Sequence, residues 1–131
     1  MRLWHYEIIG CLPKSQLVAQ WRELNSIFKK KDNHILINYI YNYDKSYLKA
    51  YTDKVVLEMQ RRGYKIKSFE NYNKYFEGIK CWGGEQFNEH NNEYLTICYW
   101  NLREKYLRGQ KDFDCETMER LQKTYKEIWL K

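Results

Sequence analysis

Glu23 is the only carboxylate in the stretch Gln16 to Phe28, QLVAQWRELNSIF. At 100° per residue Leu17, Trp21, Leu24 and Phe28 fall in one stripe, and Arg22, Ser26 and Lys29 line the other side, so the run reads as an amphipathic helix with its acid on the polar side. Two roles are open to such an acid. One is a surface ion pair with Arg22 or another cation, worth a few tenths of a kcal/mol. The other is a working group that steadies positive charge developing on a substrate or carries a proton. The helix by itself does not choose between them.

The residues before this helix decide what else can stand near Glu23. The opening MRLWHYEIIGCLP is short, apolar and aromatic and closes on Pro13. Proline suits a first helical turn, so the helix is expected to begin beside it and run to about Lys30. The segment ahead of it is too short for a full helix and is read as an extended arm lying across the body, pinned by Leu3, Trp4, Ile8 and Ile9. Pinning matters because free termini are ordinarily disordered. An anchored Trp4 would hold the α-amino group of Met1 at a fixed place.

The rest of the chain supplies a helical frame. After Lys29, Lys30 and Lys31, the residues Ile35, Leu36, Tyr39, Ile40 and Tyr43 have helical spacing and predict a short helix. Asp44 or Ser46 can cap the next helix, which reaches Arg62 with Tyr47, Leu48, Tyr51, Val55 and Met59 inward and stops at Gly63. Arg61 and Arg62 then suit the negative end of that helix. From Tyr64 to Phe87 the periodicity fails, and a loop with one short helical piece is expected. Helix returns from about Glu89 to Arg108, with Tyr94, Leu95, Cys98 and Leu102 inward and Gly109 as terminator. Asp114 caps a last helix whose stripe is Met118, Leu121, Tyr125, Ile128 and Trp129.

A chain of 131 residues fits one domain with one core. With 6 Gly and 1 Pro, breakers are too few for a turn-rich β-sandwich. The expected fold is therefore an all-α, compact single-domain helical bundle spanning 1–131, with the extended N-terminal arm across it. Lys and Arg number 23 against 17 Asp and Glu, a formal charge of +6, which favours an anionic partner such as nucleic acid. Cysteines 11, 81, 98 and 115 form no C-x-x-C pair and the three histidines are scattered, so neither a metal centre nor a disulfide framework is predicted. No apolar run approaches membrane-spanning length, and the first residues do not read as a signal peptide. The expectation is a reduced, soluble, cytoplasmic protein, monomeric, without cofactor or metal.

At the first helix the sequence resembles a known family. Leu12, Gln16-Leu17, Ala19, the aromatic Trp21 and Arg22-Glu23-Leu24 are similar to the phage pyrimidine-dimer DNA glycosylases of the endonuclease V type. Tyr43-Asp44-Lys45, Arg62-Gly63-Tyr64 with Ile66-Lys67, and Glu104-Lys105 follow in order. MRLWHY with the LP and QWRE pieces looks closest to the bacterial branch of that family. The resemblance implies an all-α domain that binds double-stranded DNA at a cyclobutane pyrimidine dimer, kinks it and flips a base. It implies that the chain's own α-amine attacks C1′, that an imine forms, and that β-elimination then cuts the strand. An α-amine with an ordinary pKa of about 7.7 to 8.0 is partly neutral and nucleophilic near pH 7, unlike a lysine near 10.4.

On this resemblance Glu23 takes the place of the family's essential carboxylate, and Arg22 that of an arginine that holds phosphate. Arg2, Lys29 and Lys30 are the further expected DNA contacts. The phage enzymes lose their initiator methionine and expose a threonine, whereas residue 2 here is Arg, which ordinarily blocks that removal. Two registers follow. Without a gap Arg2 stands at the threonine position; with one inserted residue before Leu12, Met1 replaces the threonine and Arg2 falls on the arginine after it. The second restores both amine and arginine, so Met1 is the expected nucleophile. Two other readings are a domain running the same chemistry on a ring-opened purine or an abasic site, and a non-catalytic DNA-binding domain of this fold.

Overall fold

A computed structural model describes residues 1–131. It contains five α-helices: α1 (Lys14–Lys29), α2 (Lys45–Arg61), α3 (Glu70–Tyr75), α4 (Asn92–Leu107) and α5 (Cys115–Trp129). Two 3-10 segments, Tyr6–Cys11 and Asn38–Asn42, complete the secondary structure, and no strand is formed. The all-α expectation is met. α1 packs on α2 and α3, and α4 pairs with α5. The 3-10 segment Tyr6–Cys11 touches both α2 and α5, so it joins the two halves of the molecule.

The arm therefore sits deeper than a strap on a surface. Leu3 and Ile8 are completely buried, Ile9 and Trp4 nearly so, and the four residues named as its pins all belong to the core. Burying each such side chain contributes about 1.5–3 kcal/mol. Long-range ties lock the C-terminal end of the arm in place: the Cys11 thiol donates to Thr124 Oγ1 at 3.3 Å, and Arg62 Nη2 donates to the Gly10 carbonyl at 3.2 Å. Arg62 also pairs with Glu58 at 2.6 Å, as does Arg61, which gives both arginines structural partners.

Helix α1 starts as expected beside Pro13, which occupies its N-cap, but proline offers no side chain to the free amides of the first turn. The loop after α4 supplies the cap. Asp112 Oδ2 accepts from Ser15 N at 2.7 Å and from Ser15 Oγ at 2.6 Å, and Gln16 and Gln110 exchange side-chain hydrogen bonds at 3.2 and 2.8 Å. The start of α1 is thereby fixed to the end of α4.

The buried face of α1 differs from the expected stripe. Leu17, Gln20, Leu24 and Ile27 are buried, and Trp21 and Phe28 are only half-buried flanks that meet α3, through Phe69 in one case and Tyr75 and Phe76 in the other. The stripe is rotated because α3 covers one side of the helix, and an unseen tertiary neighbour cannot enter a periodicity argument. The short helix expected over residues 35–43 is a turn followed by the 3-10 segment. Ile35 is 80% exposed, and the buried residues are Ile37 and Ile40. β-Branched Ile35 and Ile37 lose rotamer freedom in an α-helix, and a tight turn suffices to bury two isoleucines.

Elsewhere the boundaries agree with expectation to within a few residues. Gly63 and Gly109 take positive φ, 81° and 84°, at the ends of α2 and α4. Asp114 caps α5 by accepting from Thr117 N at 2.7 Å. Asp44 stands at the N-cap of α2 without a side-chain hydrogen bond, and Ser46 is buried inside the helix. On α5 Met118, Leu121 and Ile128 are buried, whereas Trp129 is 45% exposed and Tyr125 half-buried against Tyr99. The α4–α5 pair covers only part of the expected stripe.

Candidate active site

The second and third turns of α1 carry Gln20 and Glu23, three residues apart and so on neighbouring faces of the helix. Gln20 points into the core and reaches the arm, and Glu23 points to the edge of a cleft. The C-terminal half of α4 contributes Asn101 and Lys105 to the same cleft, and the arm contributes Met1 and Arg2. The cleft has a volume of about 340 Å³ and is also lined by Gln16, Trp4 and Leu36. That volume lies at the lower end of the usual range for small-ligand sites, suited to part of a larger molecule that stays mostly outside.

Glu23 is only partly exposed, and its Oε2 is buried with no hydrogen-bond partner. Buried polar atoms in folded proteins are almost always paired, so an orphaned carboxylate oxygen at the rim of a cleft is an exception with a reason behind it. Burial raises the Glu23 pKa above the ordinary carboxylate value. The positive charges of the Met1 amino group and of Arg22 oppose this rise and do not cancel it. The amino terminus is thus close enough for its charge to be felt at the acid. The site combines a carboxylate that is poorly solvated and free to bind with an adjacent amine, and it can move a proton or steady a cationic carbon.

The geometry brings together Met1, Arg2 and Glu23 from the residues singled out in the sequence. Met1 is 37% exposed, so its end is open to a partner. The Arg2 guanidinium lies 6.0 Å from the centre of the Tyr94 ring while still lining the cleft. Arg22 is exposed on the solvent side of α1, next to Glu23 in sequence but outside the cleft wall.

Lys29 and Lys30 lie elsewhere. With Lys31 and Lys45 they rim a second groove of about 390 Å³ floored by Phe28 and Tyr75, beyond the C-terminal end of α1. Lys29 ends the helix that carries Glu23 and Lys30 is its C-cap, and the six residues from Glu23 to Lys29 span roughly 9 Å of axis.

Sequence reasoning gave no role in the site to Gln20, Tyr51, Asn101 or Lys105, although it placed Tyr51 on the inner face of α2 and Lys105 in the Glu104-Lys105 resemblance. Gln20 had a legible signal, since a glutamine inside the true apolar stripe of α1 must find buried partners. Asn101 had none, because its place in the cleft depends on how α4 meets the arm.

His90, left without a role in the sequence, is a core residue. Its Nδ1 accepts from the Tyr6 amide at 3.2 Å and its Nε2 lies 2.6 Å from the Tyr39 hydroxyl. Burial lowers its pKa to about 3, with the neighbouring His5 adding to the shift. Cys11 and Cys98 are buried and Cys81 and Cys115 exposed, all four as free thiols. No three of the His, Cys, Asp and Glu side chains gather in a group able to hold a metal ion, and no helix is long and apolar enough to cross a membrane.

No curated protein and no solved structure matches this chain. A family profile does, and it covers the arm, α1, α2 and the Arg62-Gly63-Tyr64 turn, the part of the chain that contains Met1, Gln20 and Glu23. That profile, described as pyrimidine dimer DNA glycosylase, matches residues 1–71, just over half of the chain, and the protein belongs to this family of DNA-repair glycosylases.

Proposed function

We propose that the protein excises damaged pyrimidines, cyclobutane dimers in the first instance, from double-stranded DNA and then cuts the abasic strand. Met1 serves as nucleophile and Glu23 as the catalytic carboxylate. The observation that carries this reading is the unpartnered, buried Oε2 of Glu23 at the rim of the cleft that also contains Met1. A purely structural glutamate would have a partner or full exposure to water, and Glu23 has neither.

In the proposed reaction the lone pair of the Met1 nitrogen bonds to C1′ of the damaged nucleotide while the bond from C1′ to the base breaks. The base leaves with that electron pair and takes up a proton. Glu23, unsolvated on one oxygen, steadies the positive charge that builds at C1′, as carboxylates do in glycoside hydrolysis. Loss of a proton from nitrogen and opening of the sugar ring give the imine. Removal of a C2′ proton then expels the 3′ phosphate, and water releases the protein from the cleaved strand. The Glu23 carboxyl, its pKa raised by burial, is suited to the proton transfers among these steps. Arg2 and Arg22 contact phosphates close to the lesion, and Lys29 and Lys30 contact phosphates farther along the duplex.

The test is reductive trapping. Untagged protein, with its N-terminus verified as Met1 by mass spectrometry, is incubated with borohydride and duplexes carrying a single dimer, an abasic site or a ring-opened purine. A covalent adduct through Met1, formed by wild type and lost in Glu23→Gln, is the expected result. Duplex binding without any adduct would reject the mechanism, and an adduct formed only on another lesion would move the substrate assignment.

A further inference from the structure

Three helices each contribute one polar side chain to the backbone of the arm, all at residues 2 to 4. Gln20 of α1 is fully buried; its Nε2 donates to the Arg2 carbonyl at 3.1 Å, and its Oε1 accepts from the Trp4 amide at 2.8 Å. Tyr51 of α2, 3% exposed, places its hydroxyl 2.7 Å from the Trp4 carbonyl and 2.8 Å from Gln20 Oε1, its single proton shared between them. Tyr94 of α4 donates to the Leu3 carbonyl. Three successive carbonyls and one amide are thus held by side chains immediately downstream of Met1.

Anchoring alone does not call for this arrangement, because Leu3 and Trp4 are already buried by their apolar side chains. A hydrophobic anchor is tolerant of a slip along the chain. A buried amide that uses its donor at residue 2 and its acceptor at residue 4 is not, since any slip leaves both ends unpaired in the core. Buried polar groups of this kind are best attested as devices that fix register.

We infer that Gln20, with Tyr51 and Tyr94, is a positioning residue that sets how far the α-amine projects toward Glu23 and the damaged sugar. The inference rests on the assignment of Met1 as nucleophile in the preceding subsection. Gln20 does not touch substrate. It acts through the arm, and it makes the reaction depend on the number of residues ahead of Trp4.

The experiment couples chain length to the clamp. One leucine inserted between Met1 and Arg2 moves the amine outward by up to about 3.8 Å. In the wild-type background it is expected to lower the borohydride trapping rate on abasic duplex about 100-fold, the usual penalty for misplacing a reacting group by an ångström or more. Gln20→Met and the milder Tyr94→Phe should each slow trapping at least roughly tenfold with duplex affinity within about twofold, an effect on the chemical step and not on binding. In Gln20→Met the same insertion should cost only about threefold, because no register remains to be broken, and in Tyr94→Phe, where Gln20 still grips residues 2 and 4, about 30-fold.

Amide exchange at Trp4 is followed in the same proteins and should accelerate in Gln20→Met. Additive effects of insertion and clamp variants, or unchanged exchange at Trp4, would overturn the inference. If Gln20→Met fails to fold, Tyr94→Phe carries the comparison. Wild type that forms no adduct would instead reject the catalytic reading, and exchange at Trp4 would then judge the clamp by itself.

Discussion

Replacing Glu23 by Gln should make the protein more stable while abolishing its chemistry. Glu23 Oε2 is buried without a partner, and the substitution keeps the shape while removing the charge. An unsatisfied buried polar group costs about 1–3 kcal/mol and a charged one more; the amide stays unpaired, so only the excess due to charge is recovered, and the nearby cations Met1 and Arg22 offset part of it. The expected gain at neutral pH is thus about 1 kcal/mol, or about 4 °C in Tm for a domain of this size.

Its pH dependence follows from the direction of the shift. The folded-state pKa of Glu23 is raised by burial above the value in the unfolded chain, so its favourable contribution is complete below the unfolded pKa and is lost as pH rises through the folded one. The advantage of Glu23→Gln should therefore be small near pH 4 and grow toward neutrality. Paired urea or thermal unfolding at a series of pH values measures it. A variant less stable than wild type at pH 7, or a difference that shrinks as pH rises, would refute the orphaned-carboxylate argument.

Three further outcomes are expected. Asp112→Ala removes the cap of α1 and should cost about 1 kcal/mol in chemical denaturation. Burial tends to raise the Asp112 pKa, but hydrogen bonds from Ser15 and Gln110 outweigh it and hold the carboxyl below its ordinary value, so the loss should be present near neutral pH and vanish as pH falls through that lowered value. His90, held neutral down to about pH 3, disfavours the fold progressively as pH falls from 6.5; His90→Asn should flatten the acid limb of the stability curve by up to about 1.4 kcal/mol per pH unit over that interval, read from denaturant melts. Arg22→Ala should lower the slope of log affinity against log salt by about one contact's worth, roughly 0.9, and Lys29→Ala with Lys30→Ala by about twice that, in fluorescence titrations of a short duplex.

The local signals in the sequence carried most of the fold. Gly63, Gly109, Asp114 and Pro13 mark ends of helices through φ preference and capping, and these effects need no knowledge of the rest of the chain. The buried arm was legible because apolar residues 3, 4, 8 and 9 demanded burial, and it was the family resemblance that paired its amine with Glu23. What escaped depends on contacts between distant segments. Residues 35–43 look helical by spacing, yet burial of Ile37 and Ile40 in place of Ile35 was settled by what packs over them. Asn101 and Lys105 enter the site through a pairing that spans the chain, and no periodicity within one helix announces them.

The arm is held by partners both near to it and far along the chain. Residues 2 and 4 meet Gln20 and Tyr51, whereas Leu3 is tied to Tyr94 and Cys11 to Thr124, separations of 91 and 113 residues, so these last two ties need α4 and α5. Such non-local pairing postpones that docking until late in folding. A chain lacking α5 would keep the contacts of Gln20, Tyr51 and Tyr94 with residues 2 to 4 but lose the tie to Thr124, and its opening segment should be held less firmly.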